Sequence, residues 1–339
     1  MLSMVSARGG ETRLAGSEPS DGPARLGVMP RGSGGPTRAG GKRARAGLTL
    51  LVDASSLIYR AFFAVPDTVR APDGTQVNAA HGFLEMLSNL AVSYRPQFMV
   101  AALDDDWRPQ WRVDLIDSYK THRVAAADAE ELPSPEDQID LIVEVLALAG
   151  VATSGAEGYE AEDVIGALVP GAPGPVAIVS GDRDLFQLVR DPTVRVLYPK
   201  RGVSDLAVID EAEIERRYGI PGTRYFDFAV LRGDPSDGLP GVRGIGEKTA
   251  GALVAKYGSL DAVVEAARGA TSGPLQKVAS SLDYIERART VVRIASEAPT
   301  GDVDASFPRH APDPKLTEVA ESYGLAGAVK RLLAAMGNG

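Results

Sequence analysis

The chain has 339 residues, 44% of them apolar, with 36 basic against 45 acidic side chains and no cysteine. That length holds one large domain or two ordinary ones, with enough apolar material for a sizeable core. With no Cys and three His a zinc site has almost nothing to be built from, no run of about 18 apolar residues offers a membrane span, and the lack of Cys fits a reducing cytoplasm.

Residues 1–46 carry eight Arg and Lys against three acids and are rich in Gly, Pro and Ser. The segment lacks apolar periodicity and reads as a disordered basic tail. It also lacks the apolar stretch of a secretory signal. Two readings compete: a tail adding weak attraction to nucleic acid, or an over-extended start with Met29 as the initiator.

Order is expected from Leu48. Strands are predicted at 48–53, 97–103, 151–153, 176–180 and 194–197, and helices at 55–64, 77–93, 135–149, 160–169 and 183–189. The alternation implies an α/β fold with a mostly parallel sheet flanked by helices. Ligands in such sheets bind at the carboxyl ends of the strands. Asp53, Asp104 and Asp182 fall at three such ends. A lone Asp there is often a turn residue or helix cap, but three invite one site. Glu160, Glu162 and Asp163 open a helix in GYEAEDVIGAL, and Asp184 follows in SGDRDLFQL. Crowded acids repel unless a cation compensates them, and hard oxygen ligands select Mg²⁺ or Mn²⁺. The net charge of −9 is then no objection to a polyanionic partner, because bound cations reverse it locally.

Between the second strand and the 135–149 helix lies a long, charged connection. It holds Arg108, Arg112, Lys120, His122 and Arg123, interleaved with Trp107, Trp111 and Tyr119. Connections of this length are usually functional or disordered. One reading is a solvated loop whose two Trp, four apart, pack as a helical pair. The favoured one is an arch that grips a phosphate chain.

Beyond residue 210 the strand signal fades, and helices are predicted at 211–218, 223–231, 247–257, 260–267, 276–297 and 316–337. Asp234 and Asp237 sit in GDPSDGLPGVRGIGEKTA. The part from Gly241 to Ala250 reads as a Gly hairpin between two helices. Gly244 and Gly246 allow a tight turn and close backbone approach. Free N–H groups at the start of the second helix, with Lys248 and Thr249 beside them, attract an anion. Such a device reads backbone and not sequence.

From Leu50 to about Glu297, LLVDASSLIYRAF, SYKTHR, GYEAEDVIGAL, SGDRDLFQL and GDPSDGLPGVRGIGEKTA follow one another. In order and spacing they resemble the structure-specific 5′ nuclease family. That family spans bacterial 5′–3′ exonucleases, the N-terminal nuclease domains of family A DNA polymerases, phage 5′ nucleases and flap endonucleases. The resemblance implies a PIN-like, Rossmann-like nuclease domain over 47–210, with an arch at about 105–135. A helix-hairpin-helix DNA-binding region over 211–300 and a C-terminal extension over 301–339 would follow. It assigns metal roles to Asp53, Asp104, Glu160, Glu162, Asp163, Asp182, Asp184, Asp234 and Asp237. Lys120 and Arg123 match basic arch residues at the scissile phosphate, and Arg60 and Arg112 match basic positions near the active site. Gly241, Gly244, Gly246, Lys248 and Thr249 match the DNA-binding hairpin, where a monovalent cation is a further candidate.

The chemistry so implied is phosphodiester hydrolysis with two divalent ions, Mg²⁺ or Mn²⁺, roughly 4 Å apart. Asp53, Asp104, Glu160 and Glu162 would serve the ion nearer the chemistry, and Asp182, Asp184 and Asp237 the other. Substrates would be 5′ flaps, nicked or gapped duplex, and RNA primers on DNA, cut by a cytoplasmic monomer working beside a DNA polymerase and ligase. Two departures stand out: Glu162 where bacterial members usually carry Asp, and Gly238 where Asn is common. The alternatives are an RNA-cleaving PIN-type nuclease, a non-catalytic DNA-binding module, and a Mg²⁺ phosphatase of another α/β fold. The hairpin argues against the first and third, and the complete set of acids against the second.

Overall fold

A computed structural model describes residues 47–122 and 134–337. The 1–46 tail, Arg123 and the rest of 123–133 lie outside the described residues. The sheet has six strands in the order β3-β2-β1-β4-β5-β6. These are β1 (Thr49–Asp53), β2 (Phe98–Ala102), β3 (Ala152–Ser154), β4 (Val176–Val179), β5 (Val194–Pro199) and β6 (Leu206–Ile209). The first five are parallel and β6 runs antiparallel to β5. Five were legible as apolar runs. The sixth is a short edge strand whose first three residues are only half-buried, so it lacks that signal.

β1 lies at the centre, with Leu51 opposite both Val100 and Ile178. Its side chains alternate as a strand requires. Leu51 joins the core on one face with Ile178, Ile165 and Phe186. Leu50 and Val52 join the core on the other, with Leu57, Phe83 and Leu146. Each fully buried side chain of this kind contributes about 1.5–3 kcal/mol, so both faces hold the strand and its Asp53 in place. Strand order reverses at β1, with β2 and β3 on one side and β4 and β5 on the other. That reversal opens a crevice at the carboxyl ends of β1, β2 and β4.

Helix α1 (Ala54–Ala64) follows β1 without a loop. The Asp53 carboxylate caps it by accepting the Ser56 N–H at 2.9 Å, and the helix stops at Val65, held extended by the following Pro66. Helices α2 (Asn78–Tyr94), α3 (Gln110–Leu115), α4 (Ile139–Ala149) and α5 (Ala161–Leu168) complete the sheet domain. Because α3 begins at Gln110, Trp107 lies outside it and the two Trp form no helical pair. Trp111 instead donates to the Gly158 carbonyl and stacks near Tyr159. The expected helix over 183–189 is a 3₁₀ helix, Asp184–Leu188.

The helical region comprises α6 (Glu211–Tyr218), α7 (Tyr225–Arg232), α8 (Glu247–Tyr257), α9 (Leu260–Ala267), α10 (Gly273–Ala279) and α11 (Leu282–Val292). The single helix expected over 276–297 is two, broken at Ser280–Ser281, where the Ser280 hydroxyl bonds back to the Gln276 carbonyl. The 316–337 stretch is likewise two helices, α12 (Lys315–Ser322) and α13 (Ala326–Ala335), separated by Gly324 at φ 68°. These last helices return to the sheet domain. Leu316, Leu325, Val329 and Leu332 enter the core that α1, α2 and α4 share, and Arg331 pairs with Glu85 on α2. Among the described residues no helix is long and apolar enough to cross a membrane.

Candidate active site and nucleic-acid interface

The crevice gathers most of the acids singled out by the sequence. Asp53 ends β1, Asp104 follows β2 by two residues, and Asp182 follows β4 by three. Asp53 is 5% exposed and accepts from the Ser180 hydroxyl as well as from Ser56 N–H. Burial, then the charges of Asp104 and Asp182, push its carboxyl up to about 7. Asp104 accepts the Ala161 N–H at 2.7 Å and is also raised, first by burial. Glu162 is raised well above the usual range by burial, Asp182 and Glu160. Asp184 is raised in the same way by burial, then by Asp182, Asp237 and Asp234. The charge of Asp182 acts on Asp53, Glu162 and Asp184 alike, and its carboxylate accepts the Asp184 N–H at 2.7 Å.

The first turn of α5 behaves differently. Arg112 on α3 is fully buried. It grips both oxygens of Asp163 at 2.8 and 2.9 Å, pairs with Glu160, and lies 3.4 Å from Glu162. Burial opposes its charge, but Glu162, Glu160 and Asp163 hold it firmly protonated. It also donates to the Val291 carbonyl at 3.2 Å and stacks on Trp111. Glu160 is held further by the Tyr119 hydroxyl at 2.7 Å and by Lys120.

Three of the residues assigned from the sequence are engaged within the protein itself. Asp163 does not face the crevice as a free ligand, because Arg112 and the N–H groups of Glu160 and Ala295 take its oxygens. Asp234 caps the 3₁₀ turn Pro235–Asp237, accepting from Ser236 and pairing with Arg232 at 3.1 Å. Arg112 is sealed from any substrate and ties α3 to α5 and to the end of α11. Arg60 lies against Gly181, next to Asp182, where its guanidinium stands 2.9 Å from the place of a Cβ on that glycine. Lys120 is buried with its amine on Glu160.

Sequence reasoning missed Ser180 and Gln187 and, though it noted Tyr119 in the arch, gave it no role at the site. Gln187 donates to the Val292 carbonyl and accepts the Ile294 N–H, fastening the end of α11 to the sheet domain. Ser180 had a signal in its place just after the β4 run, and Tyr119 in its place among the basic arch residues.

The hairpin lies between α7 and α8. Gly241 is at φ 67°, and its N–H donates to the Tyr284 hydroxyl at 3.0 Å. Gly244 is at φ 76°, and its carbonyl accepts from Lys277 at 2.9 Å. Gly246 caps α8 with no side-chain acceptor for the first N–H groups. Arg243, Gly246 and Lys248 are exposed and Thr249 is half-buried. A polyanion can therefore reach the backbone there.

Among the described residues no three His, Asp or Glu converge tightly enough to form a ready-made metal cage. The donor chemistry nonetheless fits a hard divalent cation. Asp53, Asp104, Glu162 and Asp184 are acids whose charge the protein itself disfavours, through burial and mutual repulsion.

Residues 48–219 match the family described as 5′-3′ exonuclease, N-terminal resolvase-like domain, and residues 220–315 match 5′-3′ exonuclease, C-terminal SAM fold. The chain belongs to the 5′-3′ exonuclease family. A 5′-3′ exonuclease of Streptomyces coelicolor is 47% identical over 296 residues, covering 84% of this chain and 98% of that protein. One of Mycobacterium tuberculosis is 44% identical, covering 85% and 97%. DNA polymerase I of Mycobacterium bovis is 38% identical over 257 residues, 74% of this chain but 27% of the polymerase. Among solved structures, the flap endonuclease D15 of bacteriophage T5, as a pseudo-enzyme-product complex with DNA and metal ions, matches with a TM-score of 0.59. It is 16% identical and covers 86% of this chain and 99% of that one. The catalytic core of Rad2 in complex with DNA substrate matches at 0.55, 17% identical, covering 85% and 92%. These likenesses show that the fold is shared with the T5 D15 protein and the Rad2 catalytic core, and the 5′-3′ exonuclease family makes this chain a nuclease.

Proposed function

We propose that this 5′-3′ exonuclease hydrolyses DNA at the base of 5′ flaps and at 5′ ends of nicked or gapped duplex, with two divalent cations, Mg²⁺ or Mn²⁺. The observation that carries the reading is the crevice at the ends of β1, β2 and β4. Its acids are destabilised by one another, and Lys120 and the exposed hairpin belong to the same compact unit. Asp53, Asp104, Glu162 and, once Lys120 turns away, Glu160 would hold the cation nearer the chemistry. Asp182, Asp184 and Asp237 would hold the second. Bound, the cations supply the Lewis acidity that activates water and neutralises the charge growing on the phosphate.

The protein's own groups do the rest. Lys120, released from Glu160 by an arriving phosphate, places positive charge where the pentacovalent phosphate gains negative charge. Arg60 adds charge beside Asp182, and Arg123 matches a partner to Lys120 from the arch. The N–H groups at the start of α8, with Lys248 and Thr249, hold the backbone of adjacent duplex without reading bases. An arch that takes a single strand and a hairpin that takes duplex together suit a branched substrate. The cellular setting that follows is flap and primer removal in replication and repair, as a cytoplasmic monomer beside a DNA polymerase and ligase.

The test is cleavage of 5′-labelled flap DNA with Mg²⁺, Mn²⁺ or EDTA, beside single-stranded RNA and a small phosphate ester. Metal-dependent release of the flap oligonucleotide near the junction is expected. Flap binding without any cut would leave a DNA-binding module, and preference for RNA would favour a PIN-type ribonuclease.

A further inference from the structure

The base of the arch rests on the turn that holds Asp237, and Gly238 is the point of contact. The Lys120 N–H donates to the Asp237 carbonyl at 2.9 Å, and the Ser118 hydroxyl donates to the Gly238 carbonyl at 2.7 Å. Gly238 sits at φ 70°. A Cβ built on it would stand 1.9 Å from the Ser118 carbonyl oxygen and 3.2 Å from the Lys120 nitrogen. These are separate constraints. Asn tolerates the left-handed backbone, but no side chain tolerates the contact. At a position where Asn is common in the family it resembles, this chain has bare backbone, and the 118–120 segment fills the space.

What the segment gains is the placement of one side chain. Lys120 is itself left-handed, at φ 49°, a conformation that persists only where the surroundings fix it. The bond from its N–H to the 235–237 turn helps to fix that backbone, and its amine rests on Glu160. We infer that Gly238 is a positioning residue for Lys120, letting the arch base dock on the Asp237 turn and so setting where the lysine amine stands against the carboxylates. The inference rests on the proposed role of Lys120 at the phosphate, and it makes the arch base and the Asp237 turn one mechanical unit.

The experiment is a double-mutant cycle between Gly238→Asn and Lys120→Ala. It is read as single-turnover flap cleavage with Mg²⁺, with flap affinity measured in EDTA and thermal melting recorded for each protein. Gly238→Asn is expected to slow cleavage about 10- to 100-fold, the scale of a misplacement near 1 Å, with flap affinity within about twofold. In the Lys120→Ala background it should cost less than about twofold more, because the group it misplaces is gone. The same factor in both backgrounds, or wild-type cleavage by Gly238→Asn, would overturn the inference. Wild-type cleavage by Lys120→Ala would instead remove the role of Lys120, and the inference with it. Gly238→Ala, which adds only the Cβ, repeats the cycle if the Asn variant melts early. Amide hydrogen exchange on the wild-type enzyme gives an independent reading. The Lys120 N–H should be protected without DNA, and fast exchange there would show that the docking does not exist in solution.

Discussion

Two groups of acids share this crevice, and the protein treats them in opposite ways. Glu160 and Asp163, in the first turn of α5, are answered by protein cations: Arg112 grips both, and Lys120 reaches Glu160. Asp53 and Asp104 accept mainly from hydroxyl and amide donors, no cation pairs directly with Asp53, Asp104 or Asp184 among the described contacts, and burial with neighbouring acids pushes all three toward protonation. Glu162 stands between, 3.4 Å from Arg112 yet raised by Asp182 and by burial. The same residue type serves as cement in one group and as a store of electrostatic strain in the other. The strained group is the one a divalent cation would stabilise in the proposed function.

The largest effect that tests this division belongs to Asp182, which connects Asp53, Glu162 and Asp184. Asp182→Ala is expected to lower single-turnover cleavage at least about 10³-fold, a loss of about 4 kcal/mol in the transition state, while flap affinity in EDTA holds. Substantial metal-dependent cleavage in that variant would erase the distinction between the groups.

Arg112 tests the cemented side. Arg112→Met leaves Asp163 buried without its partner and is expected to cost about 3–5 kcal/mol in chemical denaturation. Adding Asp163→Leu should recover much of that loss, since an apolar pair of similar volume removes the stranded charge. Failure of the second substitution to recover anything would show that the backbone bonds of Asp163, to Glu160 and Ala295, matter more than the ion pair.

The strained side is read by pH. The Asp53 carboxyl stands at about 7 when folded, against an ordinary 3.8. As pH rises from about 4 to about 7 the unfolded chain ionises this group while the folded chain keeps its proton. The folded state then binds more protons, so stability falls across that window and levels off above it. The shift is worth up to about 4 kcal/mol. Metal-free protein should therefore melt lower at pH 8 than at pH 5, and Mg²⁺ should raise the melting temperature more at pH 8. Asp53→Asn, which keeps a helix-capping side chain, should flatten the metal-free profile. An unchanged slope in that variant would move the strain to Asp104, Glu162 or Asp184.

How much of this the sequence disclosed follows from the range of the interactions. Asp53, Asp104 and Asp182 were legible because each ends an apolar run, and the fold brings strand ends together. The hairpin was legible because its chemistry lies within one short stretch, from Gly241 to Thr249. The pairing of Arg112 was not legible because it depends on Glu160 and Asp163, some 50 positions away, and on the Val291 carbonyl, 179 away. A bidentate buried arginine and a phosphate-binding arginine look the same in one dimension. The bonds that hold Asp163 were hidden for a related reason, since only the folded backbone brings the Ala295 N–H to it. Edge strand β6 and the breaks at Ser280 and Gly324 escaped because neither produces a change in apolar pattern long enough to detect.

The smallest effect concerns the hairpin, which is the counterpart of the whole carboxylate crevice. It is exposed and made largely of backbone, and in the proposed function it would hold duplex by many weak contacts in place of a few strong ones. Lys248 lies in the first turn of α8, exposed, where it adds one charge to a site whose main donors are N–H groups. Lys248→Ala is therefore expected to weaken flap binding alike on all sequences, and to reduce the slope of log affinity against log salt by about one. Cleavage of bound substrate should be unchanged if, as proposed, the lysine holds duplex away from the reacting phosphate. A loss that varied with base sequence would mean the hairpin reads bases. A loss in the rate of bound substrate, with affinity intact, would mean that the grip and the crevice are not separable parts.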